Sequence, residues 1–432
     1  MSTLQAIRGT RDILPSESPL WATIEAIARQ VLSQWAYREI RTPVFELTEL
    51  FARGIGEATD AVGKEMYSFE DRGGRAIALR PEITAGLVRA FIQNKLYAQG
   101  GVQRLWHTGP AFRYERPQAG RQRQFHQLDV EILGSRDPRA DVEIIAIATQ
   151  ILNNLGLTAL SLDLNSVGSG EDRQTYREAL VNYFTPFKDD LDEDSQDRLT
   201  RNPLRILDSK DKRTHEIVVD APILLDYLSD DSQKHFDKVQ QLLTNLGIPF
   251  NINPRLVRGL DYYTHTAFEI QSSDLGAQAT VCGGGRYDGL VAQLGGPDTP
   301  AIGFGMGMER LIILLEQMET FSAEAELDIY LISRGEKAEF QAVKLANDLR
   351  KEGYSVEVDL SGSAFGKQFK RADRSGAVLS LILGEAEAEA DKVQLKWLAS
   401  GEQSELSRSE LLEQTKNIRE RIVELRKVSA SL

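Results

Sequence analysis

Phe112–Glu131 reads FRYERPQAGRQRQFHQLDVE. Two β-like runs, Leu105–Glu115 and Phe125–Leu133, flank a tip that holds Pro117, Gly120 and three arginines, Arg116, Arg121 and Arg123. Proline and glycine between alternating runs predict a hairpin with a mobile, cationic tip. Side chains two apart on a strand share a face. Arg113 and Glu115 therefore co-project, and so do Gln127, Asp129 and Glu131. Guanidinium groups beside a carboxylate floor suit a polyanion that is also an amine, such as ATP together with an amino acid. The same pattern suits an exposed hairpin with a solvated charge face, and on this stretch alone both readings stand.

The chain around it has 432 residues, which predicts two or three domains. At 41% hydrophobic and 27% charged, its composition is that of a water-soluble globular protein. No apolar run approaches a membrane span, and the first fifteen residues lack a secretory core, so a cytoplasmic protein without membrane attachment is expected. One cysteine, Cys282, excludes an internal disulfide and a cysteine-cluster zinc site. The five histidines show no ligand spacing, and no metal site is expected. A net charge of −13 argues against a protein that coats nucleic acid indiscriminately, but leaves room for a local basic surface that grips one RNA.

Taken in order, a helix is predicted from about Pro19, with Trp21, Ile24, Ile27, Ala28, Val31, Leu32 and Trp35 on one side. Tyr37–Leu47 is β-like, and Pro43 within it points to an edge, a bulge or a subunit contact. A strand at Ala76–Leu79 runs through Arg80-Pro81-Glu82 into a helix over Thr84–Leu96. Glu82 at that junction is an N-terminal cap or a ligand group, and capping is the local expectation. Asp137-Pro138 opens a helix that Gly156 ends. Residues 171–246, strongly charged and without β alternation, read as an inserted helical module. From Arg258 the run RGLDYYTHTAFEI alternates as a strand. The glycines at Gly283–Gly285 and at Gly303, Gly305 and Gly307 match no nucleotide fingerprint and mean close backbone approach. Arg310, entering a helix after the second set, is placed to meet a phosphate. Residues 318–326 form a polar connector, and beyond it strands and helices alternate in a small α/β domain.

Together these stretches resemble the class II aminoacyl-tRNA synthetases, and among them the histidyl-tRNA synthetase family, over essentially the whole chain. YREIRTPVFE resembles motif 1 of the class, the Phe112–Glu131 stretch motif 2, and GFGMGMERL motif 3. LVRGLDYYTHTAFE and CGGGRYDGLV are similar to the two signatures peculiar to the histidine enzymes. The C-terminal unit, with FGKQFKRADRSGA, resembles an anticodon-binding domain. The resemblance implies an α+β fold: an antiparallel-sheet catalytic domain over residues 1–325, with the helical insertion at about 171–246, and an anticodon-binding domain over 326–432.

It also implies a homodimer that uses ATP with Mg2+ to activate L-histidine and charge tRNA(His). Arg113 and Arg258 would be catalytic at the α-phosphate. Arg113, Glu115, Arg121 and Arg310 would bind ATP. Glu82, Thr84, Arg113, Gln127, Glu131, Arg258, Tyr262, Tyr263 and Tyr287 would surround histidine, with Glu131 and Tyr263 at the two ring nitrogens. Arg116, Gln118 and Arg123 would meet the acceptor end of the tRNA, the insertion the acceptor arm. The chain departs from the commonest pattern at three positions: Ile83, where glycine is common; Asp129, where a small residue is frequent; and His107, where an aromatic ring is frequent. The rival reading is a histidine-binding regulatory paralogue that charges no tRNA. Such relatives lack the C-terminal domain and lose these arginines, whereas both are present here.

Overall fold

The computed structural model describes residues 4–56, 59–209, 211–256, 260, 262–278, 280–318 and 327–429. Two compact units divide the chain, residues 1–323 and 324–432.

The first unit is built on an eight-stranded sheet. Its strands are β1 (Arg38–Glu39), β2 (Gln103–Phe112), β3 (Gln124–Leu133), β4 (Ser161–Ser166), β5 (Asn251–Ile252), β6 (Thr264–Gln271), β7 (Thr280–Arg286) and β8 (Ala301–Gly307). They lie in the order β1-β2-β3-β8-β7-β6-β4-β5. The six from β2 to β4 pair antiparallel, and only the short edge strands β1 and β5 run parallel to their neighbours. The expected hairpin is β2–β3, paired from Gln103↔Leu133 to Phe112↔Gln124.

Alternation along β3 assigns the two faces of the sheet. Leu128, Val130 and Ile132 enter the main core. Helices α1 (Ser18–Gln34), α3 (Pro138–Asn154), α4 (Asp230–Asn245) and α5 (Met308–Gln317) also contribute to that core. The stripe of α1 is buried at Leu20, Trp21, Ile24, Ala28, Val31 and Leu32. For α3, Pro138 fills the first turn and the Asp137 carboxylate accepts from the Arg139 amide at 2.9 Å, as that sequence predicts. On the opposite face, α2 (Thr84–Gln93) packs Leu87, Val88 and Phe91 into a second cluster with Tyr262, Tyr263 and Tyr287. It is three residues shorter than expected, because Leu96–Gln99 forms a separate 3-10 turn.

Three expectations need correction. Tyr37–Leu47 is not one strand: Arg38–Glu39 joins the large sheet, while Phe45–Leu47 pairs with Ala76–Leu79 in a three-stranded sheet completed by Ser68–Glu70. Pro43, which has no amide hydrogen, sits in the break. Residues 171–246 are not one module either. Tyr176, Leu180, Phe184, Leu199, Ile217 and Leu224 form a small core of their own, but α4 sends Phe236, Val239 and Leu243 into the main core. Finally, the alternation expected from Tyr262 to Ile270 is interrupted inside β6. His265 takes a positive φ of 48°, and the pairing with β7 shifts register beside it.

The second unit has a five-stranded sheet. Val356–Val358, Ile329–Ser333 and Leu379–Leu383 are parallel, and Lys392–Trp397 and Gln403–Ser407 continue antiparallel. The last strand is polar and exposed, so hydrophobic patterning gives no sign of it. The helix Thr415–Ser429, which supplies Ile418 and Ile422 to this unit's core, was likewise not expected. The proposed connector, but for Met318, lies outside the described residues.

Candidate active site

The site grows from the polar face of β3. Across the ladder Glu131 faces Gly303, Asp129 faces Gly305, and Gln127 faces Gly307. Every large polar side chain thus stands beside a residue with none. A Cβ on Gly303 would lie 1.5 Å from the Glu131 carboxylate; one on Gly305 would lie 2.8 Å from the Gln127 amide and 3.0 Å from Asp129. A Cβ on Gly284 would lie 2.2 Å from the Gly303 carbonyl, and one on Gly285 2.5 Å from the Thr266 carbonyl. The glycine runs are therefore close approaches, as expected, and at Gly303 and Gly305 they clear the sheet surface for polar side chains.

Glu131 is the centre of the inner pocket. Thr84 Oγ1 donates to one of its oxygens at 2.8 Å and the Tyr287 hydroxyl donates to the other. Burial pushes its carboxyl up to about 8, against the pull of those two hydrogen bonds. Tyr262 links the rings, 4.8 Å from Tyr263 and 5.5 Å from Tyr287. A phenol that meets Glu131 directly is Tyr287's, which the sequence placed near the imidazole site without that contact. Glu82 is buried at the start of α2 and accepts from the amides of Thr84 at 2.7 Å and Ala85 at 2.8 Å. It is the anionic cap the junction predicts, stabilised by the helix dipole, although burial raises its pKa.

Outside this pocket lies a cleft of about 430 Å3 lined by Arg113, Glu115, Arg121, Gln127, Glu269 and Arg310, among others. Arg113 and Glu115 lie just past the end of β2, yet line it together. Arg113 Nε donates to the Pro81 carbonyl at 2.9 Å and its guanidinium lies 3.9 Å from Glu115. Arg121 pairs with the same carboxylate at 3.0 Å. Arg310 donates to the Thr280 carbonyl; burial, then the nearby Arg121, lower its pKa. Three guanidiniums gathered in one concavity, two of them on a single carboxylate, are placed to exchange that partner for phosphate oxygens.

Arg116 and Arg123 border a different recess with Arg8 and Tyr114, and Gln118 pairs with Arg121 through the backbone at the hairpin tip. Arg123 is stacked 3.7 Å over Tyr114, and its amide donates to the Gly9 carbonyl. Arg258 lies outside the described residues.

Several contributors escaped sequence reasoning. Glu309 accepts from the His126 amide and from its Nδ1 at 2.9 Å, which ties α5 to the start of β3. Arg286 is fully buried and bonds Asp141, Asp288 and the Ser135 carbonyl, anchoring β7 to α3. Both partners are distant in sequence, so no local spacing announces them. Among the described residues, no group of three or more His, Cys, Asp or Glu side chains is placed to hold a metal ion.

A family model described as Histidyl-tRNA synthetase matches residues 9–171 and 191–311, and one described as Anticodon binding domain matches 328–418. Proteins named Histidine--tRNA ligase from Cyanothece sp. and Synechocystis sp. are 67% and 68% identical. Both alignments cover 98% of this chain, and 99% and 94% of those proteins. The crystal structure of apo S. aureus histidyl-tRNA synthetase is similar with a TM-score of 0.82 at 38% identity, over 96% of this chain and 100% of that one. The α+β architecture, the antiparallel core and the two matched regions agree: this chain belongs to the histidyl-tRNA synthetase family.

Proposed function

We propose that the protein is a histidine–tRNA ligase. The histidine carboxylate attacks the α-phosphorus of ATP, pyrophosphate leaves, and histidyl-adenylate forms. A hydroxyl of the terminal ribose of tRNA(His) then attacks the activated carbonyl, and AMP leaves. The carboxylate is already a nucleophile, so positioning and charge neutralisation carry the first step. Arg113 and Arg258 hold the α-phosphate, Arg121 and Arg310 the outer phosphates, and Glu115 keeps Arg113 and Arg121 in register until ATP arrives. Losing one such donor costs about 3 kcal/mol in the transition state.

Glu82, Thr84 and Gln127 hold the amino-acid end, with Tyr262 walling the pocket and Tyr263 at one ring nitrogen of the imidazole. Glu131, aligned by Tyr287, reads the imidazole. A ligand without ring nitrogens offers this buried polar pocket no hydrogen bond in place of the water it displaces, which rejects other amino acids at binding. Magnesium fits as an ion carried on the phosphates, where it would offset their charge: Glu115 and Glu269 border the cleft as hard oxygen donors, without a protein cage.

The observation that carries this reading is a buried, doubly hydrogen-bonded Glu131 on the polar face of β3, on the same strand as Gln127, which borders a cleft lined by three arginines. Supporting a tRNA role for the insertion is a recess lined by Arg173, Arg177, Arg201 and Arg205, and Arg205 also borders the ATP cleft; Arg116 and Arg123, with Gln118 beside them at the hairpin tip, support contact with the acceptor end through the recess they share with Arg8. Phe45, Leu47 and Phe69, each half exposed or more on the three-stranded sheet, support a homodimer through that surface. Among the described residues no helix is long and apolar enough to cross a membrane, and a tRNA-charging role belongs to the cytoplasm. The domain limits that go with this function are 1–325 for catalysis and 326–432 for the anticodon.

The test is exchange of labelled pyrophosphate into ATP, without tRNA, with each amino acid in turn. Histidine alone should support exchange. Histidine binding with no exchange would favour the regulatory reading instead.

A further inference from the structure

Between Gln127 and Glu131 on the polar face of β3 lies Asp129, which is 3% exposed. Its Oδ2 has no hydrogen-bond partner among the described residues, and neither has Gln127 Oε1 beside it. Both side chains crowd the space above Gly305. Gln127 borders the open cleft, and Glu131 forms the pocket behind. Two buried acceptors side by side, both unpaired, mark a place that lacks a donor.

Among the described residues, no neighbouring side chain bonds either oxygen. Opposite Asp129 on β2 stands His107, whose Nδ1 meets the Ile40 carbonyl at 2.7 Å; its Nε2 is therefore a bare lone pair, and it too has no partner. Burial holds that ring down to about 4, so it stays neutral. The β8 neighbours are glycines. Arg80 spends its Nε on the Pro110 carbonyl and its Nη1 on Thr42. Arg113 is turned to Pro81 and Glu115. Glu82 and Glu131 are carboxyls themselves.

We propose that Asp129 is a specificity-determining residue of this pocket: with Gln127 it receives the α-ammonium of the amino acid, adding a carboxylate to the one Glu82 supplies. An ammonium has three N–H donors, and Gln127, Asp129 and Glu82 offer three acceptors. In the empty pocket burial, then Glu131 and Glu82, raise the pKa of Asp129 well above the ordinary value, against Arg80 and Arg113. The arriving cation reverses that balance, so binding expels a proton and affinity increases with pH.

The inference rests on the histidine-activating reading, and wild-type exchange with histidine is its control. Calorimetry of histidine binding at pH 8, in two buffers of different ionisation enthalpy, counts the protons released. Asp129→Asn should release close to one fewer than wild type and raise the KM for histidine in exchange about tenfold or more. Binding of imidazole propionate, which lacks the ammonium, should change little. Asp129→Gly, the smaller alternative, should behave in the same way and covers the case in which the amide disturbs packing. Unchanged proton release and KM in both variants, or an equal loss for the desamino analogue, would overturn the proposal and leave Asp129 a structural partner of His107. Absence of exchange in wild type would instead remove the underlying reading.

Discussion

Gly303 shows how much of the pocket is decided by atoms that are missing. Its amide and carbonyl belong to an ordinary ladder, but any Cβ there would occupy the place of the Glu131 carboxylate and press on the Val130 carbonyl at 2.6 Å. Gly303→Ala must push the carboxylate off Thr84 and Tyr287 or open the ladder. Overpacking of this kind costs about 1–3 kcal/mol. The expected result is a melting temperature lowered by several degrees and a KM for histidine raised more than the KM for ATP. Gly170→Ala is the control: nothing lies within 4 Å of its added methyl, and its stability should stay within about 0.5 kcal/mol of wild type. At this scale the sequence was half legible. A run of glycines announces close approach, but which side chain fills the space depends on register between strands about 170 residues apart in the chain. The same limit hid Glu309 and Asp141. Among the departures, Ile83 is fully buried at the start of α2, and Asp129 and His107 prove to be direct cross-strand neighbours.

At the scale of elements, strong local signals survived and long-range ones did not. The hairpin, the capped start of α3 and the strand–Glu82–helix junction follow from turn chemistry and alternation within a dozen residues. The split of Tyr37–Leu47 between two sheets, and the return of α4 to the main core, depend on partners elsewhere in the chain, which periodicity does not identify. Those elements are pinned together by charge. Arg286 on β7 and Asp141 on α3 are both fully buried, with His235 of α4 at 3.1 Å from the same carboxylate. Burial pushes Asp141 up, but Arg286 and His235 outweigh it and hold its pKa down to about 2. A depressed carboxyl stabilises the fold above its unfolded pKa, about 3.9; that contribution is lost as pH falls toward about 2. Asp141→Asn leaves Arg286 charged and short of its main partner in the interior. Removing one member of a buried pair costs on the order of 3–5 kcal/mol. Denaturant unfolding at pH 7 should show a loss of that size, and the gap between variant and wild type should narrow as the pH is lowered from 4 toward 2. A gap that stayed constant over that range would mean that the bridge contributes through packing rather than charge.

For the whole molecule, net charge and function pull in opposite directions. A chain carrying −13 repels RNA at long range, so tRNA must be held by local basic surfaces. One lies on Phe365–Ala372 of the second unit, where Lys367 and Lys370 are exposed while Arg371 is tied to Asp359 and two serines. That unit has a hydrophobic core of its own, from Ile329 and Leu331 to Trp397 and Ile422, and the first unit has its separate main core. Each therefore has the means to fold alone, which makes truncation a fair experiment. Removing residues 326–432 should leave histidine-dependent pyrophosphate exchange within a few-fold of the full chain, because every described residue assigned to histidine or ATP lies in the first unit. Charging of tRNA(His) should fall about tenfold or more, the equivalent of at least ~1.4 kcal/mol of lost binding. In the full chain, charging should weaken with added salt more steeply than exchange does, and the truncated chain should lose part of that slope as its phosphate contacts are removed. Equal losses in both reactions would mean instead that the second unit supports the fold or the dimer, and that the grip on tRNA lies in the arginine-lined recess of the insertion.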